Sequence, residues 1–373
     1  MDKIEKSQVY DDPVLGIRET ASTEKYWEKT QDSYSKKKYK DAIINLLNYL
    51  DPELVKTYGN KDQTEFSIPN GSLMVNISLK DNKFSVNAPF LKLPEKKVNV
   101  LLRQLSEINF MALFLSQIGL KGDELYFKYS TELELCEPYK IYDVLYEICI
   151  NGDYYDDIFI DEMGAKRLKE MEVKDFSKAQ KEKAWKMFNE YIDESLQHLE
   201  YFGTNRWFGP GLDSARITLM KMDYLLQPQG LLVSDIQKIL NSSWNNGRLN
   251  LNEVFDKTKE DIRKLKEWDQ KKFNENVYIP KFLISPKKRA SLMALQDIMR
   301  PDYDSAKRYV QEFNFFESAH FCLYAIYNLF FRNTIPIKVE GILNDALKKA
   351  SGKKFEEASG ILLKILDKVM AMK

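Results

Sequence analysis

Apolar positions change their spacing twice in the first half of the chain. Over Lys25–Lys37 and Tyr39–Leu50 the pattern is helical, and in the second stretch Ala42, Ile43, Leu46, Leu47 and Leu50 share one face. The run Lys36-Lys37-Lys38 separates the two helices, and Asp51-Pro52 stops the second. After Gly59 the period falls to two. Leu73, Val75, Ile77 and Leu79 alternate with Met74, Asn76, Ser78 and Lys80, Asp81-Asn82 supplies a turn, and Phe84, Val86 and Ala88 carry the alternation on to Pro89. This predicts a β-hairpin. Pro94 then suits the start of a helix in which Val98, Leu101, Leu102, Leu105 and Ile108 recur at helical spacing through Asn109. A long strand is expected from Phe110 to Leu120, a tight turn at Gly122-Asp123, and a return strand with Leu125, Phe127 and Tyr129 on one side. A helix over Pro138–Met163 closes the unit. The order β-β-α-β-β-α predicts an α+β fold, an antiparallel sheet backed by helices.

From Lys166 onward the pattern is helical throughout, interrupted by a loop at FGTNRWFGPGLD with its three glycines and Pro210. Three regions follow: a helical hairpin over 1–60, the α+β domain over 61–165, and a larger all-α domain over 166–373. The stretch Phe313–Phe331 is apolar nearly all round and is expected to be a central buried helix. Tyr39…Ala42, Phe316…Ala319 and Phe355…Ala358 each set an aromatic three residues before an alanine, and Ala346 precedes Ala358 by twelve. That spacing resembles single tetratricopeptide hairpins, without a 34-residue period running through the chain.

Composition narrows the function. Lysine plus arginine and aspartate plus glutamate are equal at 56 each, so the chain lacks the basic excess of a general nucleic-acid binder. The opening residues carry no apolar leader, and no apolar run reaches the ~20 residues that span a bilayer. Cys136, Cys149 and Cys322 are odd in number and far apart, which predicts buried reduced thiols and not a disulfide framework or a zinc site. The expectation is a cytoplasmic protein that binds neither membrane nor nucleic acid and needs no cofactor.

The stretch GSLMVNISLKDNKFSVNAPFLKLPEKKVNVLLRQLSEINF, followed by LSQIGLKGDELYFKYSTEL, resembles the YbjN family over residues 64–164. The shared features are the strand pair, the proline-containing break, the helix ending at Asn109, and the turn Leu120-Lys121-Gly122-Asp123-Glu124-Leu125. The resemblance implies a fold like that of type III secretion chaperones, a non-enzymatic protein-binding module that is often dimeric. Some members are regulators of bacterial sensory or secretion behaviour. This chain departs from the small acidic chaperones in its neutral charge and its large helical extension. By the same analogy the helix between the hairpins helps form the dimer, so Val98, Leu101, Leu105 and Ile108 are the candidate partner-binding residues.

Residues that carry chemistry are few. Of two histidines, His198 sits on a predicted helix and His320 lies between Ala319 and Phe321; Cys322, two positions on, falls on a different helix face. Both are expected to be satisfied core histidines. In DYYDDIFIDE, Asp153, Asp157 and Asp161 recur every four residues, which predicts a solvated acidic face. Ser242–Glu253 imitates a calcium loop through Asn246, Gly247, Leu249 and Glu253, but Trp244 stands where an oxygen ligand is needed, and a helix junction is expected. Trp207 and Phe208 are expected to cap a core. The sequence therefore predicts no enzyme. It predicts a chaperone-like or adaptor protein binding a protein partner, or a homodimer, through apolar surface or a sheet edge. The alternatives are a bacterial signalling scaffold and an enzyme with its site in the helical half.

Overall fold

The structure, a computed structural model, describes residues 4–16, 24–169, 173–244 and 249–372. It is mixed α+β, with fourteen α-helices among the described residues and one large antiparallel sheet. The chain forms two compact units. The sheet unit comprises Ala21–Lys174 and Ile279–Pro286; the helical unit comprises Met1–Thr20, Asp175–Tyr278 and Lys287–Lys373.

In the sheet unit, α1 (Glu24–Ser35), α2 (Tyr39–Leu50) and α3 (Leu54–Tyr58) precede β1 (Glu65–Asn70), β2 (Leu73–Lys80) and β3 (Lys83–Lys92). The chain continues through α4 (Val98–Met111), β4 (Gln117–Lys121), β5 (Glu124–Glu132), α5 (Pro138–Met163) and a short β6 (Lys166–Arg167). The strand order is β1-β2-β3-β5-β4, every neighbour antiparallel, with β6 paired to the end of β3. The alternation read from the sequence is the burial pattern of β2: Leu73, Val75, Ile77 and Leu79 face the core. Asp81 and Asn82 both take positive φ, as the two-residue turn between β2 and β3 requires.

Helix α5 crosses this core face. Gly152 allows its close approach, because a Cβ there would lie 1.9 Å from the Leu73 side chain. Helices α1–α3 are not a separate piece: Trp27 of α1 packs on Tyr49, Tyr139 and Tyr142, and α2 contributes Ile43, Leu46 and Leu47 to the sheet's own core. The returning segment Ile279–Pro286 is held by Asn70, whose Oδ1 accepts from the backbone N–H of Leu283 (3.1 Å) and Ile284 (3.2 Å) while Nδ2 donates to the Cys149 carbonyl (3.1 Å).

In the sheet unit three expectations need correction. Strand β1 went unread, and the order is β-β-β-α-β-β-α; Pro69 interrupts its sequence pattern but is tolerated on an edge strand. Helix α4 begins at Val98, after Lys97 in a left-handed conformation, and not at Pro94. The long strand Phe110–Leu120 does not exist: α4 runs on to Met111, residues 112–116 link, and only Gln117–Lys121 is strand.

The helical unit holds α6 (Lys178–Thr204), α7 (Phe208–Leu226), α8 (Gly230–Ser243), α9 (Leu251–Leu265), α10 (Gln270–Glu275), α11 (Leu292–Gln311), α12 (Phe315–Arg332), α13 (Ile337–Ala350) and α14 (Phe355–Met370). Helix α12 is central, packed against α7, α11 and α14. Helices α13 and α14 form a hairpin in which Ala346 and Ala358 are both fully buried. The FGPG stretch is not loop: Pro210 sits in the first turn of α7, where its missing N–H has no intrahelical role. Among the described residues no helix is long and apolar enough to cross a membrane.

Candidate functional site

The end of α4 and the link to β4 form an unusual surface. Phe110 is 86% exposed, Met111 73% and Phe114 82%, with Leu115 exposed beside them. Side chains of this size normally leave water, and a cluster of four in six residues makes this the candidate interaction surface.

This knuckle is fixed from beneath by two polar side chains. The Glu147 carboxylate, on α5, accepts hydrogen bonds from three successive backbone N–H groups: Phe114 at 3.0 Å, Leu115 at 3.1 Å and Ser116 at 3.0 Å. It also accepts from the Ser116 hydroxyl at 3.0 Å. Charge-assisted bonds of this kind are stronger than neutral ones. At the other side Asn109 clasps the outer edge of β4, its Oδ1 accepting from the Ile118 N–H (2.7 Å) and its Nδ2 donating to the Ile118 carbonyl (3.0 Å). A loop with apolar side chains in water is thus held in one shape by an acid and an amide.

The candidates Leu101, Leu105 and Ile108 lie on the face of α4 opposite Phe110. All three are buried in the sheet unit's own core, and Val98 is half-buried. Leu101, Leu105 and Ile108 are not surface, and the large exposed apolar side chains Phe110 and Met111 stand at the C-terminal end of α4. Sequence reading missed Phe110, Met111 and Phe114 because an apolar run in a link imitates a strand.

The acidic run is not a solvated face. Asp161 is exposed, but Asp153 is half-buried against the β1–β2 turn, where its Oδ1 accepts from the Ser72 N–H at 3.2 Å. That turn needs Gly71: its φ is +54°, and a Cβ would lie 1.7 Å from Asp153 Oδ1. Asp156, one residue off the four-residue repeat, is almost fully buried and accepts from Arg167 of β6 at 3.0 and 3.2 Å; Arg167 also bonds Asp157. Burial raises the Asp153 carboxyl to about 6, against the opposing pull of the Ser72 N–H. It likewise raises Asp156, where the neighbouring Asp157 charge adds to burial and Arg167 opposes it. The cluster pins α5 to the β1–β2 turn and to β6.

In the helical unit, His198 Nδ1 lies 2.9 Å from Ser214 Oγ, and Ser214 is fully buried on α7. His198 itself is half-buried and lines a cavity of about 1080 Å³ between α6 and residues 4–9. His320 is buried, its Nδ1 is 3.1 Å from the Phe316 carbonyl, and its Nε2 has no partner, so it is a core histidine only half satisfied. Burial lowers its pKa to about 4. The three cysteines are free and buried, and burial pushes the Cys136 thiol up to about 12. Glu253 is engaged with Asn250 in the reciprocal cap that starts α9, and Asn246 and Gly247 fall outside the described residues. Trp207 is 51% exposed and not a core cap, whereas Phe208 packs on Phe255. Among the described residues no group of three His, Cys, Asp or Glu is placed to hold a metal ion. No protein-family model matches the chain, and a search of curated proteins finds no match to it.

Proposed function

We propose that the chain is a non-enzymatic protein-binding adaptor, chaperone-like in its sheet unit, which holds a partner protein through the knuckle Phe110–Leu115. In this reading residues 61–165 are a YbjN-like, secretion-chaperone-like domain of a bacterial cytoplasmic protein, and α13–α14 is a tetratricopeptide-like hairpin. The observation that carries it is the pairing of exposure with rigidity. Four apolar side chains stand in water while the Glu147 carboxylate gathers three backbone N–H groups to hold them there. A loop already ordered loses little conformational freedom on binding, and burying each phenylalanine contributes on the order of 2 kcal/mol. The partner this chemistry fits is a protein with an apolar cleft wide enough for two aromatic rings.

The test is affinity capture of the tagged chain from its native cells, with stoichiometry by mass spectrometry. Three forms are compared: wild type, Phe110→Asp/Phe114→Asp, and Met293→Asp, the last an exposed apolar residue of the helical unit. The expected result is one dominant partner, retained by Met293→Asp and lost by the double variant. The same protein captured by all three forms, or no reproducible partner in any, overturns the reading.

A further inference from the structure

Residues 6–14 run through the helical unit as an extended strap, gripped largely by the backbone. Lys6 pairs with Lys354 as an antiparallel bridge, and the Ser7 N–H donates to the Lys353 carbonyl at 2.8 Å. The Tyr10 N–H donates to Ser351 Oγ at 3.0 Å, and the Val14 N–H to the Leu225 carbonyl at 2.9 Å. Two lysines reach in to strap carbonyls, Lys221 to Val9 (2.9 Å) and Lys183 to Asp12 (2.8 Å). Acidic side chains complete the grip: Tyr191 donates to Asp11 at 2.7 Å, and Lys348 pairs with Asp12 at 3.0 Å. Backbone bonding of this kind accepts many sequences, and the side-chain pockets select among them.

The strap fits its groove imperfectly. Ser7 Oγ, Gln8 Oε1 and Tyr10 OH are buried without hydrogen-bond partners, each a cost that a better-matched segment escapes. The groove is also wider than its occupant: the 1080 Å³ cavity lies beside the strap, between Lys6 and Val9 on one side and Asp193, Glu194, His198 and Tyr201 of α6 on the other. Asp193 and Glu194 beside the Lys6–Val9 stretch are paired with Lys266 and Lys221, and Lys183 and Lys348 line the Asp12 end.

We propose that this groove is a second binding site, for an extended segment of a partner protein that carries an aromatic residue followed by two acids, and that residues 6–14 are its built-in competitor. The site stands independently of the knuckle.

The test uses a fluorescein-labelled peptide of residues 4–16, IEKSQVYDDPVLG, read by fluorescence anisotropy against the full chain. In Asp11→Ala/Asp12→Ala the strap is weakened and the groove is untouched, so the peptide binds at least ten-fold tighter than to wild type. Adding Lys183→Glu/Lys348→Glu to that variant reverses the gain. A second arm locks the strap: Lys6→Cys/Lys354→Cys, at directly facing positions, excludes the peptide when oxidised and admits it at millimolar concentration when reduced. Equal binding to wild type and to a folded Asp11→Ala/Asp12→Ala chain overturns the proposal. Should that variant not fold, the lock decides, and the same anisotropy in both oxidation states overturns it.

Discussion

Asn109 completes β4 from the side. Its amide exchanges two hydrogen bonds with the backbone of Ile118, as a neighbouring strand residue would. The edge strand is thereby covered at that residue and tied to the end of α4, directly beside the exposed Phe110. Asn109→Ala removes both bonds and is expected to lower stability by about 1–2 kcal/mol in urea unfolding. Asn109→Asp keeps the acceptor and loses the donor, so it should fall between the two. Equal stability of all three forms would show that water replaces the amide at no cost.

Glu147→Gln tests the rigidity of the knuckle. A carboxamide turns an N–H₂ toward at least one of the donors that Glu147 now satisfies, and the charge that strengthens the others is gone. Amide hydrogen exchange at Phe114, Leu115 and Ser116 should quicken ten-fold or more, with the rest of β4 and β5 unchanged. Partner binding should weaken although no contact residue has been altered.

That knuckle also shows where sequence reading succeeds and fails. The alternation of Leu73, Val75, Ile77 and Leu79 was legible because one face of the sheet is buried, so period and burial agree. Helices α2 and α5 were legible for the same reason at helical spacing. Around Phe110–Leu115 apolar residues face water, and the rule that links hydrophobicity to burial points the wrong way. Pro69 hid β1 because its tolerance depends on an edge position set by the finished sheet. Asp156 and Arg167, eleven residues apart, and Asn70 with Leu283, meet only through tertiary structure, and nothing local announces them.

Asp153 gives the sheet unit a pH dependence of defined sign. Its carboxyl is raised in the folded state to about 6, above its ordinary value, so the folded form holds the extra proton between roughly pH 4 and 6. Stability from this group is therefore greatest below pH 4 and falls as pH rises through 6. Asp153→Asn keeps an acceptor for the Ser72 N–H and carries no charge to bury. Chemical unfolding at pH 7 should show a gain on the order of 1–2 kcal/mol, vanishing by pH 4. A loss at pH 7 would mean that the carboxylate charge is stabilising where it stands.

His320 acts in the opposite sense on the helical unit. Its folded pKa is lowered to about 4 by burial, so between the ordinary histidine value and pH 4 the unfolded chain binds the extra proton. Stability falls as pH drops through that window. His320→Leu fills similar space between Phe316 and Phe355 without a buried unpaired nitrogen. Its unfolding free energy should match or exceed wild type at pH 7 and lose the acid slope between pH 6.5 and 4. An unchanged slope would assign the acid sensitivity to other groups.

The claim that Phe110–Leu115 is the partner contact is tested most directly by site-specific photocrosslinking. A benzophenone amino acid replaces Phe114 in the full chain and, as the control, Met293, also largely in water but in the helical unit. After irradiation in the native cells, the account predicts one discrete protein adduct at position 114 that is absent at position 293 and disappears when Phe110→Asp is added. No adduct at position 114 above that at position 293 would contradict it.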